Sequence, residues 1–518
     1  MHRSISLLLL TILLTASCLV LWRSLTEGHN WGGDFAGFIM QAQSIIDGNP
    51  IEFIDKNRFT IENSSRPVGP VAYPWGYPML LAPFYAYFGF SIPALKSLNN
   101  ICYLFFLLAL WSGCRTTLSA GWRLILVGLF AIHPYFMNFL NSIGSDIPFL
   151  LFSTITIFII GRIVIQKETL VSQLLDHLLM GLLIAISFFI RTQGVLLLAT
   201  LMATQSVMMI RPIINREKTA ATLLRESWNN LRPFSMKSLI RFLPAISPYF
   251  LFFLLVFIWN AFLPEGGASH VKEIKQISFA IIKHNLLFYI KIPSEFFSGF
   301  YNRIALIMHG AGLPLFFFGM LKRRNTDFHM IIFGALYMAH LIVWPYTQGF
   351  RYVLPVIPFY VYFVLAGVAS ISDSRDRLLH ASWKIGSACM IILILLLSWK
   401  ASFKNLSIAG SNQGIKEMGP YFPTAQNLFA FIKDRTDKDD IIIFFKPRVL
   451  RLYTNRPSIM IEQKDLVKRG DFLCIQNFYD GYNQIDKTDI DSLLASDLIQ
   501  MLYQNSDFQF YKVRKPLR

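Results

Sequence analysis

Four charged residues stand where apolar runs give way to polar sequence: Asp34, Asp146, Arg191 and Arg351. Asp34 follows Gly32-Gly33, a pair that lets backbone approach a ligand, and precedes apolar residues at 35, 38, 39, 42, 45 and 46. That spacing predicts an amphipathic helix ending near Gly48. Aspartate is also a favoured helix N-cap, so a capping role stands beside a chemical one. Asp146, in Ser145-Asp146-Ile147-Pro148, carries the same two readings. Two carboxylates meeting at a membrane surface suit general-base chemistry, metal binding or both. Arg191 closes one apolar run and Arg351 opens another; a guanidinium so placed either grips a phosphate bidentately or snorkels to lipid headgroups. The segment Tyr73-Pro74-Trp75-Gly76-Tyr77-Pro78 is rigid and aromatic, and an interfacial aromatic belt accounts for it equally well.

The elements that must position these groups are set by composition. Of 518 residues, 54% are apolar and 15% charged, well below the roughly 25% charge of soluble domains, which places the chain in a membrane. The net charge of +17 would suggest nucleic acid in a soluble protein. In a membrane protein, retention of Lys and Arg in cytoplasmic loops explains it, and no nucleic acid partner is expected.

Apolar stretches long enough to cross the hydrocarbon core run at 4–21, 98–114, 120–140, 146–165, 176–191, 193–211, 242–263, 304–321, 328–345, 351–371 and 383–401, or about eleven spans. The first continues past Cys18 to Trp22, which favours a span with the amino terminus inside over a cleaved signal peptide. Arg115, Arg123, Arg162, Lys167, the basic 211–241 segment, Lys322-Arg323-Arg324, Arg375, Arg377 and Lys384 then all fall on the inner side. The outer turns 141–145 and 346–350 hold no Lys or Arg, as the positive-inside rule requires. Pro78, Pro83 and Pro93 interrupt 77–95, which reads as a helix on the outer surface, because one more span there would reverse every later loop.

The predicted fold class is an α-helical polytopic membrane protein with a small C-terminal extracytoplasmic α/β domain. The membrane domain covers 1–402, with outer loops 23–97 and 264–303, and the tail covers 403–518. Within the tail, 426–433 reads as a short helix, 441–445 and 472–475 as strands, and 489–503 as an amphipathic helix.

No GxGxxG, Walker A or HExxH pattern occurs, so nucleotide hydrolysis and zinc proteolysis lack support. His133, His309 and His340 share no ligand spacing and read as core histidines, and the five cysteines read as small apolar residues.

Together these pieces resemble the GT-C superfamily of polyprenyl-phosphate-sugar-dependent glycosyltransferases, in the branch of protein O-mannosyltransferases and lipid A aminoarabinose transferases. The resemblance rests on several features in order. They are the acid and helix from Asp34 through Ala42 to Gly48, Tyr73 to Pro78 ahead of Phe88-Gly89, the Ser145-Asp146 pair, Arg351-Tyr352 with Pro355 and Pro358, and the tail run Lys446 to Leu450 and Arg456. Trp75 stands where the family has a second proline, Phe38 where many members have tyrosine, and Asp34 lacks the adjacent acid of the mannosyltransferases.

The resemblance implies that Asp34 is the catalytic base of an inverting transfer, with Asp146 beside it orienting the acceptor or helping to hold an ion. It implies that Arg351 or Arg191 neutralises the leaving lipid phosphate, and that Tyr73, Tyr77 and Tyr352 contact substrate. No cofactor follows from it, and a divalent cation is left open. The expected partners are a polyprenyl-phosphate sugar donor, membrane lipids and an extracytoplasmic acceptor, whether lipid, glycan or protein. The expected location is the inner (plasma) membrane, multi-pass, with the tail outside. A transporter or flippase of lipid-linked sugars and a polysaccharide polymerase or ligase are the competing readings, although no self-similar halves support the transporter.

Overall fold

A computed structural model of the chain describes residues 3–165, 170–214, 236–264, 277–297, 303–372, 377–410, 419–478 and 483–514. Much of the outer loop 264–303, and the basic loop residues Lys167, Arg216, Lys218, Arg225, Arg232 and Arg375, lie outside the described residues.

The first apolar run is helix α1 (Arg3–Arg23). The segment after it folds into three helices, α2 (Gly33–Ile46), α3 (Pro50–Asn63) and α4 (Gly76–Phe88). Helix α5 (Ile92–Gly113) follows, then α6 (Ala120–Ala131) and α7 (Pro134–Leu140), which meet at a bend of 57°. The bend has a local cause: His133 precedes a proline and is extended, with φ −105° and ψ 128°, so the helix cannot run through. The chain continues as α8 (Asp146–Ile165), α9 (Leu170–Ile190), α10 (Val195–Ile214), α11 (Met236–Phe262), α12 (Phe279–Lys291), α13 (Arg303–Arg323), α14 (Phe328–Val343), α15 (Ile357–Ser372) and α16 (Arg377–Gly410).

Among the described residues, six helices are long and apolar enough to cross a membrane, or seven with the bent pair α6–α7 taken as one; shorter apolar helices span Leu174–Ile190, Phe328–Val343 and Ile357–Ile371. Each expected apolar run falls on one of these helices or on α16. On α11 the rings of Phe250, Phe253, Phe257 and Phe262 are 61–81% exposed, an apolar stripe that only lipid can cover. The chain is a multi-pass membrane protein. Helix α4 has 13 residues, about 20 Å at 1.5 Å per residue, too short for a hydrocarbon core of about 30 Å. It buries Tyr77, Pro78, Leu81 and Ala82 and exposes Tyr87 and Phe88, as the surface-helix expectation requires.

The bundle has two chemically different ends. At one, the Arg323 guanidinium donates to the Thr117 carbonyl and Arg211 to the Asn325 carbonyl at 3.1 Å, gathering basic residues with neutral backbone partners. At the other sit α2 to α4 and the tail. The tail contains α17 (Pro423–Arg435), β1 (Ile442–Ile443), α18 (Pro447–Thr454), β2 (Ser458–Ile459), β3 (Phe472–Gln476), α19 (Lys487–Ala495), β4 (Ile499–Gln504) and β5 (Phe508–Val513). Its sheet has the order β2-β1-β3-β5-β4, with β1 parallel to both neighbours and β5 antiparallel to β3 and β4. The single helix expected over 489–503 is therefore corrected. Asp497, at φ 54°, turns the chain out of α19, and the rest of that stretch is the edge strand β4.

Two buried polar side chains lock the link between α1 and α2, which leads into Asp34. Lys96, on α5 and fully buried, donates to the Thr26 carbonyl at 3.0 Å, the Gly28 carbonyl at 2.5 Å and Asn141 Oδ1 at 2.8 Å. His29 stacks on Phe35 with ring centroids 4.0 Å apart, and its Nε2 lies 3.2 Å from the Ile143 amide nitrogen. That amide can only donate, so Nε2 must accept and the ring proton sits on Nδ1, facing the Asn30 carbonyl at 3.1 Å.

Two consequences are measurable. Lys96→Met leaves these acceptors buried without a donor, and we expect a loss of about 3 kcal/mol, read as a lower unfolding midpoint in detergent. Burial, reinforced by the Lys96 charge, lowers the His29 pKa to about 4 from 6.5. A histidine depressed in the folded state stabilises fully above the unfolded value, so its contribution falls as pH drops from about 6.5 towards 4. Scanning the midpoint across that window should show a decline that His29→Gln flattens.

Candidate active site

Helix α2 is capped by the backbone at Gly32 without a side-chain cap bond, which leaves Asp34 in the first turn with its carboxylate uncommitted to the helix. The capping role is thereby set aside, and Asp34 is 53% exposed. Its Oδ1 accepts a hydrogen bond from the Tyr73 hydroxyl at 2.7 Å, and its Oδ2 lies 3.8 Å from Arg351 Nη1. Gly37 makes the first contact possible: a Cβ there would stand 2.7 Å from Tyr73 Cε2, so only glycine one turn after Asp34 leaves a notch for the ring. Phe38 flanks that ring at 4.4 Å.

Asp146 opens α8 and is 6% exposed. Arg351 Nε donates to its Oδ1 at 2.9 Å and its Oδ2 at 3.0 Å, and Arg191 Nη1 also donates to Oδ1. Arg191 comes from the tight turn between α9 and α10, and Arg351 from the 3-10 turn Gly349–Val353 ahead of α15. Elements distant in sequence thus converge on one buried carboxylate. Both Asp146 oxygens are engaged by guanidinium groups, so the carboxylate holds the two arginines in place. Arg351 stretches between the two carboxylates, so the position a bridging cation would need is filled by a fixed positive charge. The described residues contain no group of three His, Cys, Asp or Glu able to hold a metal.

The aromatic segment divides into three roles. Tyr73 reaches Asp34. Trp75 is buried and donates from Nε1 to the Pro264 carbonyl at 3.0 Å, tying this segment to the second outer loop. Tyr77 is fully buried beneath Phe38, with ring centroids 4.8 Å apart, so the expectation that it contacts substrate is corrected to a place in the floor under Tyr73. Behind it, Gly76 packs on the backbone just before Arg191: a Cβ would lie 2.4 Å from the Phe189 carbonyl carbon. Tyr352 is half-buried, its ring 5.9 Å from the Arg191 guanidinium. His133 and His309 sit in the core, the first with Nε2 2.7 Å from the Phe296 carbonyl and the second with Nδ1 2.8 Å from the Tyr360 hydroxyl.

Sequence reasoning missed the tail's own contribution. Arg448, on α18 and almost fully buried, donates from Nη1 to the Tyr73 hydroxyl at 2.9 Å. Lys446, just before α18, is half-buried; burial lowers its ammonium below the usual range, against the opposing pull of Asp34. Trp31, three residues before Asp34, fixes the tail in place, its ring 5.1 Å from Phe445, 5.9 Å from Phe444 and 6.1 Å from Phe508. A larger cavity of about 900 Å³ opens on the far side of α2, where Met40, Gln43 and Asp47 on its wall project roughly 120–180° away from Asp34 around the helix axis. It is separate from the charged cluster.

No protein-family model and no curated protein sequence matches the chain. Solved structures do. ArnT from Cupriavidus metallidurans bound to undecaprenyl phosphate aligns with a TM-score of 0.59 at 11% identity, over 97% of this chain and 97% of that one. The chain has the GT-C fold. An apo oligosaccharyltransferase from Archaeoglobus fulgidus shares the GT-C arrangement at a TM-score of 0.52 and 12% identity, over 90% of this chain and 69% of that one. The same enzyme in complex with zinc and sulfate aligns at 0.52 over 97% of this chain and 73% of that one. The resemblance read from short motifs is thus borne out by the GT-C fold.

Removing a buried carboxylate that two guanidinium groups share leaves Arg191 without that partner and Arg351 with only Asp34 at 3.8 Å, at a cost of about 3–5 kcal/mol. Asp146→Ala should lower the unfolding midpoint sharply, whereas Asp34→Asn, at a half-exposed position, should leave it nearly unchanged; equal midpoints for the two would contradict the anchor role.

Proposed function

We propose that the protein is an inverting membrane glycosyltransferase that moves a monosaccharide from a polyprenyl-phosphate donor to an acceptor on the extracytoplasmic side of the plasma membrane. The observation that carries this reading is the state of Asp34: a half-exposed carboxylate with one oxygen held by Tyr73, the other beside an anchored guanidinium, at the non-basic end of a GT-C bundle. The positive-inside rule supports the orientation, since Arg115, Arg123, Arg211 and Arg323 gather at the opposite end.

In this reading the acceptor hydroxyl or amine gives its proton to Asp34 Oδ2 as it attacks the anomeric carbon. The bond from that carbon to the phosphate oxygen breaks on the opposite face, which inverts the centre, and the lipid phosphate leaves with the electron pair. Arg351 is the group that meets the developing charge. It is 32% exposed against 13% for Arg191, and its Nη atoms are not used by Asp146. Arg191 holds Asp146 and is steadied by the Tyr352 ring. A fixed cation at the leaving oxygen needs no reorganisation as charge builds, which is where electrostatic catalysis gains most.

Purified protein in liposomes, given radiolabelled undecaprenyl-phosphate-linked hexoses and pentoses with a membrane lipid and glycan extract as acceptor, tests the reading. Asp34→Asn should lower label transfer by roughly 10²–10⁴-fold, the range for loss of a general base, while the protein remains folded. Full transfer by that variant would sink the base assignment, and movement of intact donor between leaflets without transfer would establish a flippase instead.

A further inference from the structure

Arg448 and Tyr73 come from different parts of the chain, and neither makes sense alone. Arg448 is almost fully buried, yet no carboxylate pairs with it among the described residues. Its guanidinium is held by neutral acceptors: Nε donates to Asn57 Oδ1 at 3.2 Å, Nη2 to the Pro70 carbonyl, and Nη1 to the Tyr73 hydroxyl at 2.9 Å. A buried cation without a counter-ion is costly, and nothing in the tail's own core requires it. The nearest acid along its hydrogen bonds is Asp34, reached through one phenol.

We propose that Arg448 is a positioning residue of the active site, which fixes the Tyr73 hydroxyl so that its proton is always directed at Asp34 Oδ1 and only Oδ2 is left to accept the acceptor's proton. The inference rests on Asp34 as the base and goes beyond it by making the extracytoplasmic tail part of the catalytic machinery.

The reasoning is one of donors and acceptors. A guanidinium has N–H donors and no acceptor, so the Tyr73 oxygen must accept from Arg448, and its own hydrogen must point elsewhere. Among the described residues, the acceptor it reaches is Asp34 Oδ1 at 2.7 Å. Burial raises the Tyr73 pKa above that of an ordinary phenol, and the hydroxyl therefore keeps the proton it donates. Without Arg448 the phenol oxygen loses the donor that fixes its place, and the carboxylate it holds loses its fixed orientation. The supporting structure is dedicated to this contact. Asn57 on α3 takes both Arg448 Nε and Arg451 Nη2 on its Oδ1, at 3.2 and 3.3 Å, and its Nδ2 donates to the Val71 carbonyl two residues before Tyr73. Helix α18 is stopped directly after this pair by Asn455 in the left-handed conformation, φ 54°, which keeps both arginines on one short rigid element.

A double-mutant cycle on the full-length protein tests this, using the liposome assay and whichever labelled undecaprenyl-phosphate sugar the wild type turns over. Arg448→Met and Tyr73→Phe should each lower kcat by about tenfold with the donor KM unchanged. The double variant should fall no further than either single one, because both changes break one relay. A merely structural arginine would give a product of effects, near 100-fold, and that result, a raised donor KM or an undiminished Arg448→Met would overturn the proposal. If Arg448→Met is not recovered as folded protein, Arg448→Gln replaces it in the cycle with the same expectation, since its amide oxygen competes for the Tyr73 proton. Multiplicative losses in a protein that still needs Asp34 reject the relay alone; full activity of Asp34→Asn rejects the base reading, and the relay with it.

Discussion

The charged cluster depends on a single buried carboxylate. Asp146 is 6% exposed and is the shared acceptor of Arg191 and Arg351, which arrive from turns far apart in the sequence. In a chain dominated by apolar contacts, which are non-directional, this is the contact that selects one arrangement of α8, the α9–α10 turn and the turn before α15 at the outer end of the bundle. Desolvating three charges is expensive, so such a cluster is poor evidence of stability in itself. Its return is positional: a guanidinium between two carboxylates, bound firmly to one and 3.8 Å from the other.

That arrangement puts two aspartates with similar sequence surroundings in different environments. Both precede helices and both follow glycine or serine. Asp146 opens α8 inside the bundle, where its oxygens are saturated by cations. Asp34 lies in the first turn of a helix at the surface, where one oxygen meets a neutral phenol and the other a half-exposed arginine at the outer limit of pairing. Screening by solvent makes this last interaction weak. The proposed roles of base and anchor rest on this difference in environment.

How much of this was legible in the sequence depends on distance along the chain. The positions of the apolar helices, the surface helix before α5, and the candidacy of Asp34, Asp146, Arg191 and Arg351 all come from local signals: apolar runs, interrupting prolines, and charges at run boundaries. Those signals say where a residue sits, and they say nothing of what it faces. Asp34 read as a cap because aspartate caps are common; only the structure shows Gly32 taking that place. Tyr77 and Tyr73 belong to one motif, yet four residues of chain carry one to the core floor and leave the other at the carboxylate. The stretch 489–503 misled because β4 is an edge strand whose mostly exposed residues lack the alternation of a half-buried strand. Lys96 was not singled out in the sequence, because its partners in the loop and at Asn141 are set only by folding.

Arg448 lies furthest from what a sequence can disclose, because its contact to Tyr73 joins residues 375 positions apart. The sequence does contain half of the reason. Gly37 one turn after Asp34, and Pro447 and Asn455 bounding a short helix, are residues whose types are explained only when the two segments meet: the glycine admits the ring, while the proline and asparagine hold the arginine's helix to a fixed length. Trp31 supplies the other half by inserting into the tail's phenylalanine cluster three residues before the acid. The tail therefore packs on the segment that carries the carboxylate and adds Arg448 to the contacts around it, so it is joined to this end of the bundle by both an aromatic cluster and a hydrogen-bond chain.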